Sequence, residues 1–381
     1  MSGIRATRPQ QQAAGAVARS RRTSGAAGRL IITALAVAAL LAAGTLAVAS
    51  VLTDYSYWAR IIAWREASFY DFKTKFPARE IPNAPPLFPL GAAPAEPPAP
   101  LTSIAYPTGE AGTLSAPLEE FVAKTGTTAF LVLKDDALLV ERYANGSSHE
   151  SIQTSFSVAK SFDSTLVGIA ISEGLIGSVE DPIMRYLPEL EGRGLDRVRL
   201  RDLLNMSSGL RYDGAGSGGT PWQDDARTYY DPDLRQLALT VQPAGLPGRQ
   251  WQYNNYHPLL IGLVLERTTG RSVSAYLSDK LWGQLGMEAP ASWSLDSQHD
   301  GFEKMESGIN ARAVDFARFG RLFLRDGIWQ GRHIVPRAWA EAATHPVPGS
   351  PVDNYGYFWW IDTERPGRFY AWGNLGQYIY V

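Results

Sequence analysis

Ser157-Val158-Ala159-Lys160 sets a hydroxyl and an amine three residues apart. On the first turn of a helix that spacing brings both groups onto one face. An amine beside a hydroxyl can take its proton and so activate it to attack a carbonyl. Taken alone, an S-x-x-K pattern has a bland alternative, a solvated helix start. Here Phe156, Val158, Ala159 and Phe162 surround the lysine with apolar neighbours, where a solvated surface lysine is poorly explained.

A second candidate is Tyr253, in the run Gly248-Arg249-Gln250-Trp251-Gln252-Tyr253-Asn254-Asn255-Tyr256-His257 just before the apolar, helix-like stretch Leu259 to Glu266. A phenol with an ordinary pKa of about 10 is a poor base at neutral pH unless a nearby cation stabilises the phenolate. Lys160 is the candidate for that cation, and the bland alternative is a turn tyrosine packed on Trp251. A third element is Ala371-Trp372-Gly373-Asn374-Leu375-Gly376-Gln377. A glycine there would let a substrate approach a strand backbone closely, and the amide that follows could point at a developing oxyanion. An ordinary glycine-containing turn is its alternative.

Composition narrows the classes. The 381 residues are 45% apolar, enough for a large core, and the net charge of −2 supplies no basic face for nucleic acid. With no cysteine, disulfides, thiol catalysis and cysteine-ligated zinc are excluded. The five histidines are scattered without an H-E-x-x-H, so no protein-bound metal is expected. The G-x-S-x-G nucleophile elbow of α/β-hydrolases is also absent.

Residues 1–29 carry six arginines and no acid, and read as a basic cytoplasmic tail. Residues 30–52 contain no charge and are long enough to span a bilayer, with Tyr55, Tyr57 and Trp58 following as interfacial aromatics. The segment reads as an uncleaved transmembrane anchor, a cleaved signal with Ala47-Val48-Ala49 as processing site, or a buried core helix. The first two readings place the rest of the chain outside the cytoplasm: membrane-anchored, periplasmic if the cell is Gram-negative, or secreted if the segment is cleaved. Residues 53–115 read as a juxtamembrane segment and a Pro-rich spacer, with residues 59–79 either lying along the membrane or packing on the domain. The folded domain is expected at 116–381.

Inside it, Thr127 to Lys134 and Ala137 to Tyr143 read as a hairpin turning at Asp135-Asp136. Ser157 to Glu173 reads as a helix with Phe162, Leu166 and Ile169 on one face and Gly174 as its stop. Residues 182–300 read as helices and loops, including the loop 214–219. Ala311 to Asp326 reads as an amphipathic helix with Ala313, Phe316, Ala317, Gly320, Phe323 and Leu324 inward. Strand-like composition returns at 355–360 and 368–381, so the expected fold is α/β (α+β), with a helical subdomain inserted into a sheet layer.

In this order, the three elements resemble the serine β-lactamase and penicillin-recognising family, especially its class C-like esterases and 6-aminohexanoate-dimer hydrolases. Leu200-Arg201-Asp202-Leu203-Leu204-Asn205-Met206-Ser207-Ser208-Gly209-Leu210 and Glu306-Ser307-Gly308-Ile309-Asn310-Ala311-Arg312-Ala313-Val314-Asp315 are further family-like stretches. The resemblance implies an antiparallel sheet flanked by helices, an all-helical subdomain, a site in the cleft between them, and no cofactor. It implies Ser157 as nucleophile, Lys160 and Tyr253 as proton carriers, and the amides of Ser157 and Asn374 as an oxyanion hole beside Gly373. Asn255 would orient substrate and Lys160.

The chain departs from the family at Ala371-Trp372-Gly373, where K-T-G or H-x-G supplies a cation for a substrate carboxylate. An uncharged ester or amide therefore fits better, with Trp372 and Tyr212 walling an acyl pocket. Two alternatives stay open: a true β-lactamase or D-Ala-D-Ala peptidase, and a non-catalytic ligand-sensing ectodomain of the same fold. The sequence ends at Val381 within strand-like composition, where the family continues through a strand and a helix, so a C-terminally shortened domain is expected. Substrate identity and oligomeric state are not legible.

Overall fold

Every residue from Ala159 to Ala170 is buried in the computed structural model. The helix Ala159–Ser172 that carries Lys160 is therefore packed all round, as its run of small and apolar residues allows. It follows a 3-10 turn, Phe156–Val158, and ends where Gly174 adopts a left-handed φ of 73°. Phe162 stacks on Phe319 at 3.7 Å between ring centroids, and Phe319 in turn lies 5.8 Å from Trp359. Three aromatic rings thus tie this helix to helix Ala313–Leu324 and to strand Trp359–Ile361.

The described residues are 29, 31–41, 44, 45, 48, 55–65, 67–95, 98, 101–107, 113–214 and 220–381. They divide into two units, 1–63 and 64–381. In the first, residues 31–41 are helical and a helix begins at Tyr55. Among the described residues no helix is long and apolar enough to cross a membrane. The expected span 30–52 lies partly outside the described residues, as does the expected loop 214–219.

The second unit holds two four-stranded antiparallel sheets. One runs in the order Ala78–Ile81, Ala291–Ser294, Ile309–Arg312, Ile152–Thr154, and the other in the order Tyr355–Gly356, Trp359–Ile361, Phe369–Gly373, Gln377–Tyr380. The expected hairpin forms between Ala129–Lys134 and Ala137–Tyr143, with both Asp135 and Asp136 at positive φ, as a tight two-residue turn demands. Between the sheet strands lies a helical region that includes Leu200–Leu204, Asp224–Tyr230, Leu234–Ala238, Tyr256–Thr269 and Val273–Lys280. This is the mixed α/β arrangement anticipated.

Three expectations need correction. The stretch expected to be a spacer, 81–107, contributes structure, because Ile81 ends a strand, Ala78–Ile81, that pairs in register with Ala291–Ser294 and Phe88 packs against Trp329, well upstream of residue 116; residues 78 and 79 take the packing alternative of the two open for 59–79. Ala291–Ser294 is itself a strand inside the region expected to be helices and loops. The inner face of helix Ala313–Leu324 is rotated from the expected stripe: Gly320 and Phe323 are buried as expected, but Val314, Asp315, Arg318, Phe319, Arg321 and Leu322 are buried beside them, whereas Ala313, Phe316 and Ala317 are half-buried and Leu324 is exposed. The cause is a buried ionic group, since Arg318 pairs with Glu288 at 2.8 Å and with Asp315 at 3.3 Å, which puts polar residues on the core side.

Truncating the middle ring of the aromatic stack, Phe319→Ala, should cost about 3–5 kcal/mol of stability. Urea denaturation of both proteins checks this, and a loss below about 1 kcal/mol would show that the stack is not what joins the layers.

Candidate active site

Lys160 is 1% exposed, and its Nζ donates to Ser157 Oγ at 2.9 Å and to the backbone carbonyl of Glu306 at 2.8 Å. The same nitrogen lies 4.9 Å from the centroid of the Tyr253 ring, within cation–π range. The structure therefore brings together the hydroxyl, amine and phenol that sequence singles out. Among the described residues Lys160 makes no ion pair, and its partners are a hydroxyl, a carbonyl and a π face.

Ser157 sits on a constrained turn. Phe156 has φ of 42°, a left-handed conformation uncommon for a bulky residue. Ser155 holds the turn: its amide donates to the Ile309 carbonyl at 2.7 Å, and its hydroxyl accepts from the Ile309 amide at 3.1 Å. On the other side, Gly373 backs onto the turn so closely that a Cβ there would fall 2.4 Å from the Ser155 carbonyl oxygen and 3.0 Å from the Ser157 nitrogen. Glycine is required at this crossing, and it places the backbone leading into Asn374 alongside the Ser157 amide.

Tyr253 is positioned by the Leu200 to Leu210 stretch. Met206, at φ 56°, offers its carbonyl to the Gln252 amide at 2.8 Å, and the Ser207 carbonyl accepts from Gly248 at 2.7 Å. Gly209 permits the close approach, because a Cβ there would lie 2.5 Å from the Gly245 carbonyl oxygen. The Tyr253 ring stacks on Trp360 at 6.1 Å and meets Tyr355 edge-on at 6.4 Å. Burial, together with the neighbouring Tyr253, holds the Tyr355 phenol well above its usual range, so it stays neutral beneath the site.

The remaining candidates divide. Trp372 is 41% exposed and packs on Trp360 at 5.5 Å, on the aromatic face that Tyr253 joins. Tyr212 donates to Asp225 and accepts from Asn255 Nδ2 at 3.0 Å. Asn255 is consequently turned toward Tyr212 and Asp225, and does not hydrogen-bond Lys160 as expected. The Asn374 side chain accepts from the Leu375 amide at 2.9 Å. Sequence reasoning misses the Glu306 carbonyl, which no side-chain pattern reveals, and Trp360, whose only signal is strand-like composition.

Other titratable groups near the site are silenced. His257 is fully buried, bonded to Ser208 at 2.6 Å, and burial pushes it down to about 3, so it remains a neutral ring. Asp163, one turn along from Lys160, is buried with neither carboxyl oxygen hydrogen-bonded. Burial outweighs the pull of Lys160 and holds this carboxyl well above the usual carboxylate range. Among the described residues no cluster of three or more His, Asp or Glu could hold a metal ion. A surface cleft of about 540 Å³ lined by Arg197, Arg199, Arg201 and Arg249 contains none of the site residues, and chemistry rather than volume locates the site.

The chain belongs to the beta-lactamase family, whose model matches residues 115–381. The 6-aminohexanoate-dimer hydrolase of Paenarthrobacter ureafaciens is 29% identical over 288 residues, covering 69% of this chain and 71% of that protein. A beta-lactamase of Pseudomonas fluorescens is 26% identical over 132 residues, 35% of this chain and 34% of the other. A solved structure from Bacillus anthracis, assigned as a 6-aminohexanoate-dimer hydrolase, superposes with a TM-score of 0.71 at 24% identity, covering 82% of this chain and 84% of its own.

Two variants test this geometry. Gly373→Ala should leave a folded protein whose turnover falls about a hundredfold, since the added methyl displaces the Ser157 turn; near wild-type turnover in a folded variant would contradict the close crossing. A carboxyl with a raised folded pKa binds more protons folded than unfolded, so Asp163 should erode stability as pH rises above about 4. The wild-type melting temperature should therefore fall relative to that of Asp163→Asn between about pH 4 and pH 8, and parallel curves would contradict a neutral buried acid.

Proposed function

We propose that this protein is a serine hydrolase that cleaves an ester or amide through an acyl-enzyme on Ser157. The observation that carries this reading is the buried Lys160 amine bonded to Ser157 Oγ at 2.9 Å beside the Tyr253 ring. Ser157 Oγ attacks the substrate carbonyl carbon, and its proton passes to the Lys160 and Tyr253 pair. Which of the two carries it belongs to the pair, because strongly interacting groups titrate together. The backbone amides of Ser157 and Asn374 donate to the developing oxyanion, a contribution of about 2.7–4 kcal/mol per donor in a comparable hydrolase. The pair then returns the proton to the departing alcohol or amine. Water attacks the acyl group by the reverse route and frees the acid.

An uncharged substrate is supported by Ala371-Trp372-Gly373, where no cationic side chain awaits a carboxylate, and by the apolar surface that Trp360 and Trp372 present beside Tyr253. The 6-aminohexanoate-dimer hydrolase relative supports amides as well as esters.

A fluorophosphonate reagent should label the wild type, not Ser157→Ala, and Lys160→Ala at least about a hundredfold more slowly. Nitrocefin should be hydrolysed far more slowly than p-nitrophenyl butyrate. Undiminished labelling of Ser157→Ala overturns the nucleophile assignment, and comparable rates on the two substrates overturn the preference for uncharged esters.

A further inference from the structure

Lys160 hangs from a carbonyl, and that carbonyl belongs to a turn organised around a second buried lysine. Lys304 is 1% exposed. Its own carbonyl accepts from the amides of Ser307 and Gly308 at 3.0 and 2.8 Å and from the Trp293 indole at 3.0 Å, while its amide donates to the Ser294 carbonyl at 2.9 Å. Its ammonium pairs with the Glu306 carboxylate at 2.8 Å and donates to the Tyr229 carbonyl at 2.8 Å. Residue 306 is therefore gripped twice: its carboxylate by Lys304, and its carbonyl by Lys160.

Part of the cover over Lys304 comes from chain upstream of the family match. The ammonium lies 4.6 Å from the Phe76 ring centroid and 4.5 Å from that of Tyr229. Tyr229 is locked in turn, because its hydroxyl donates to the buried Asp71 at 2.8 Å, and Asp71 also pairs with Lys75 at 2.9 Å. Phe76 meets the Tyr229 ring edge-on at 5.4 Å. A continuous line of interactions thus runs from Asp71 through Tyr229, Lys304 and Glu306 to Lys160.

We propose that Lys304 is a positioning residue for the catalytic lysine, acting through Glu306, and that Asp71 and Phe76 complete its cage. A buried ammonium without counter-charge is costly, and a buried Glu306 carboxylate deprived of its ion-pair partner is equally so. Each satisfies the other only while the turn keeps its present shape, which fixes where the Glu306 carbonyl points. Removing the Lys304 charge frees the carboxylate to seek other partners and turns the carbonyl away from Lys160 Nζ. The inference rests on the serine-hydrolase reading, since a positioned amine matters to turnover only if Ser157 reacts.

The experiment is steady-state hydrolysis of p-nitrophenyl butyrate by the full chain, wild type beside Lys304→Met and Tyr229→Phe, with melting temperatures and a crystal structure of each. The expected result for Lys304→Met is a kcat lowered about a hundredfold, with KM within about threefold of wild type and the hydrogen bond from Lys160 Nζ to the Glu306 carbonyl broken. Tyr229→Phe, which deletes only the hydroxyl bonded to Asp71, should lower kcat in the same direction by a smaller factor while folding normally, and it carries the test if Lys304→Met does not fold. A lower melting temperature with unchanged kcat would make Lys304 merely structural and overturn the proposal. So would a crystal structure of Lys304→Met in which Lys160 keeps its carbonyl partner. If the wild type itself shows no turnover, the serine-hydrolase reading fails, and the position of the Glu306 carbonyl in the variant crystals still decides the positioning claim.

Discussion

One buried lysine organises this molecule. Lys160 has been taken out of water with no carboxylate bonded to it among the described residues, and a buried amine is unfavourable unless its N–H groups find an acceptor or a π face. The Ser157 hydroxyl, the Glu306 carbonyl and the Tyr253 ring supply that environment. Each comes from a different stretch of chain, so the fold has to deliver three distant segments to one nitrogen. On the same helix, burial holds the Asp163 carboxyl well above the usual carboxylate range, against the pull of Lys160.

Delivery is made at strained junctions. Phe156, Met206 and Phe358 have φ of 42°, 56° and 66°, and each lies where two layers meet. Phe156 precedes Ser157, Met206 receives the loop that carries Tyr253, and the Phe358 carbonyl accepts from Ser161 at 2.8 Å on the helix of Lys160. Conformations of this kind persist only where the surroundings over-determine them. Here that constraint comes from the Ser155 hydrogen bonds, the Gly209 and Gly373 crossings and the aromatic stack through Phe319. The same rigidity that fixes the fold therefore fixes the site.

Much of this is legible in the sequence, and the limits have physical causes. Ser157, Lys160 and Tyr253 can be singled out because hydroxyl, amine and phenol are side-chain types suited to acyl transfer, and Asp135-Asp136 announces a tight turn by residue type. Periodicity rotates the face of helix Ala313–Leu324 because a hydrophobic pattern cannot anticipate that Arg318 and Asp315 are buried as partners. Ala78–Ile81 escapes notice because four residues beside a proline-rich stretch give too short a pattern to count as a strand. Resemblance assigns Asn255 to Lys160, and a nearby Tyr212–Asp225 pair claims its amide instead. The Glu306 carbonyl is beyond reach, since every residue offers the same backbone oxygen and only the folded geometry singles out this one.

The central claim is that Ser157 forms a covalent bond to the acyl half of an uncharged substrate. Rapid-quench intact-mass spectrometry of the full chain with a slowly hydrolysed ester tests it most directly. The expected result is a mass increase of one acyl group that maps to Ser157, accumulates within a turnover and then decays. Hydrolysis that proceeds with no adduct at Ser157, or with the adduct on another residue, would contradict it.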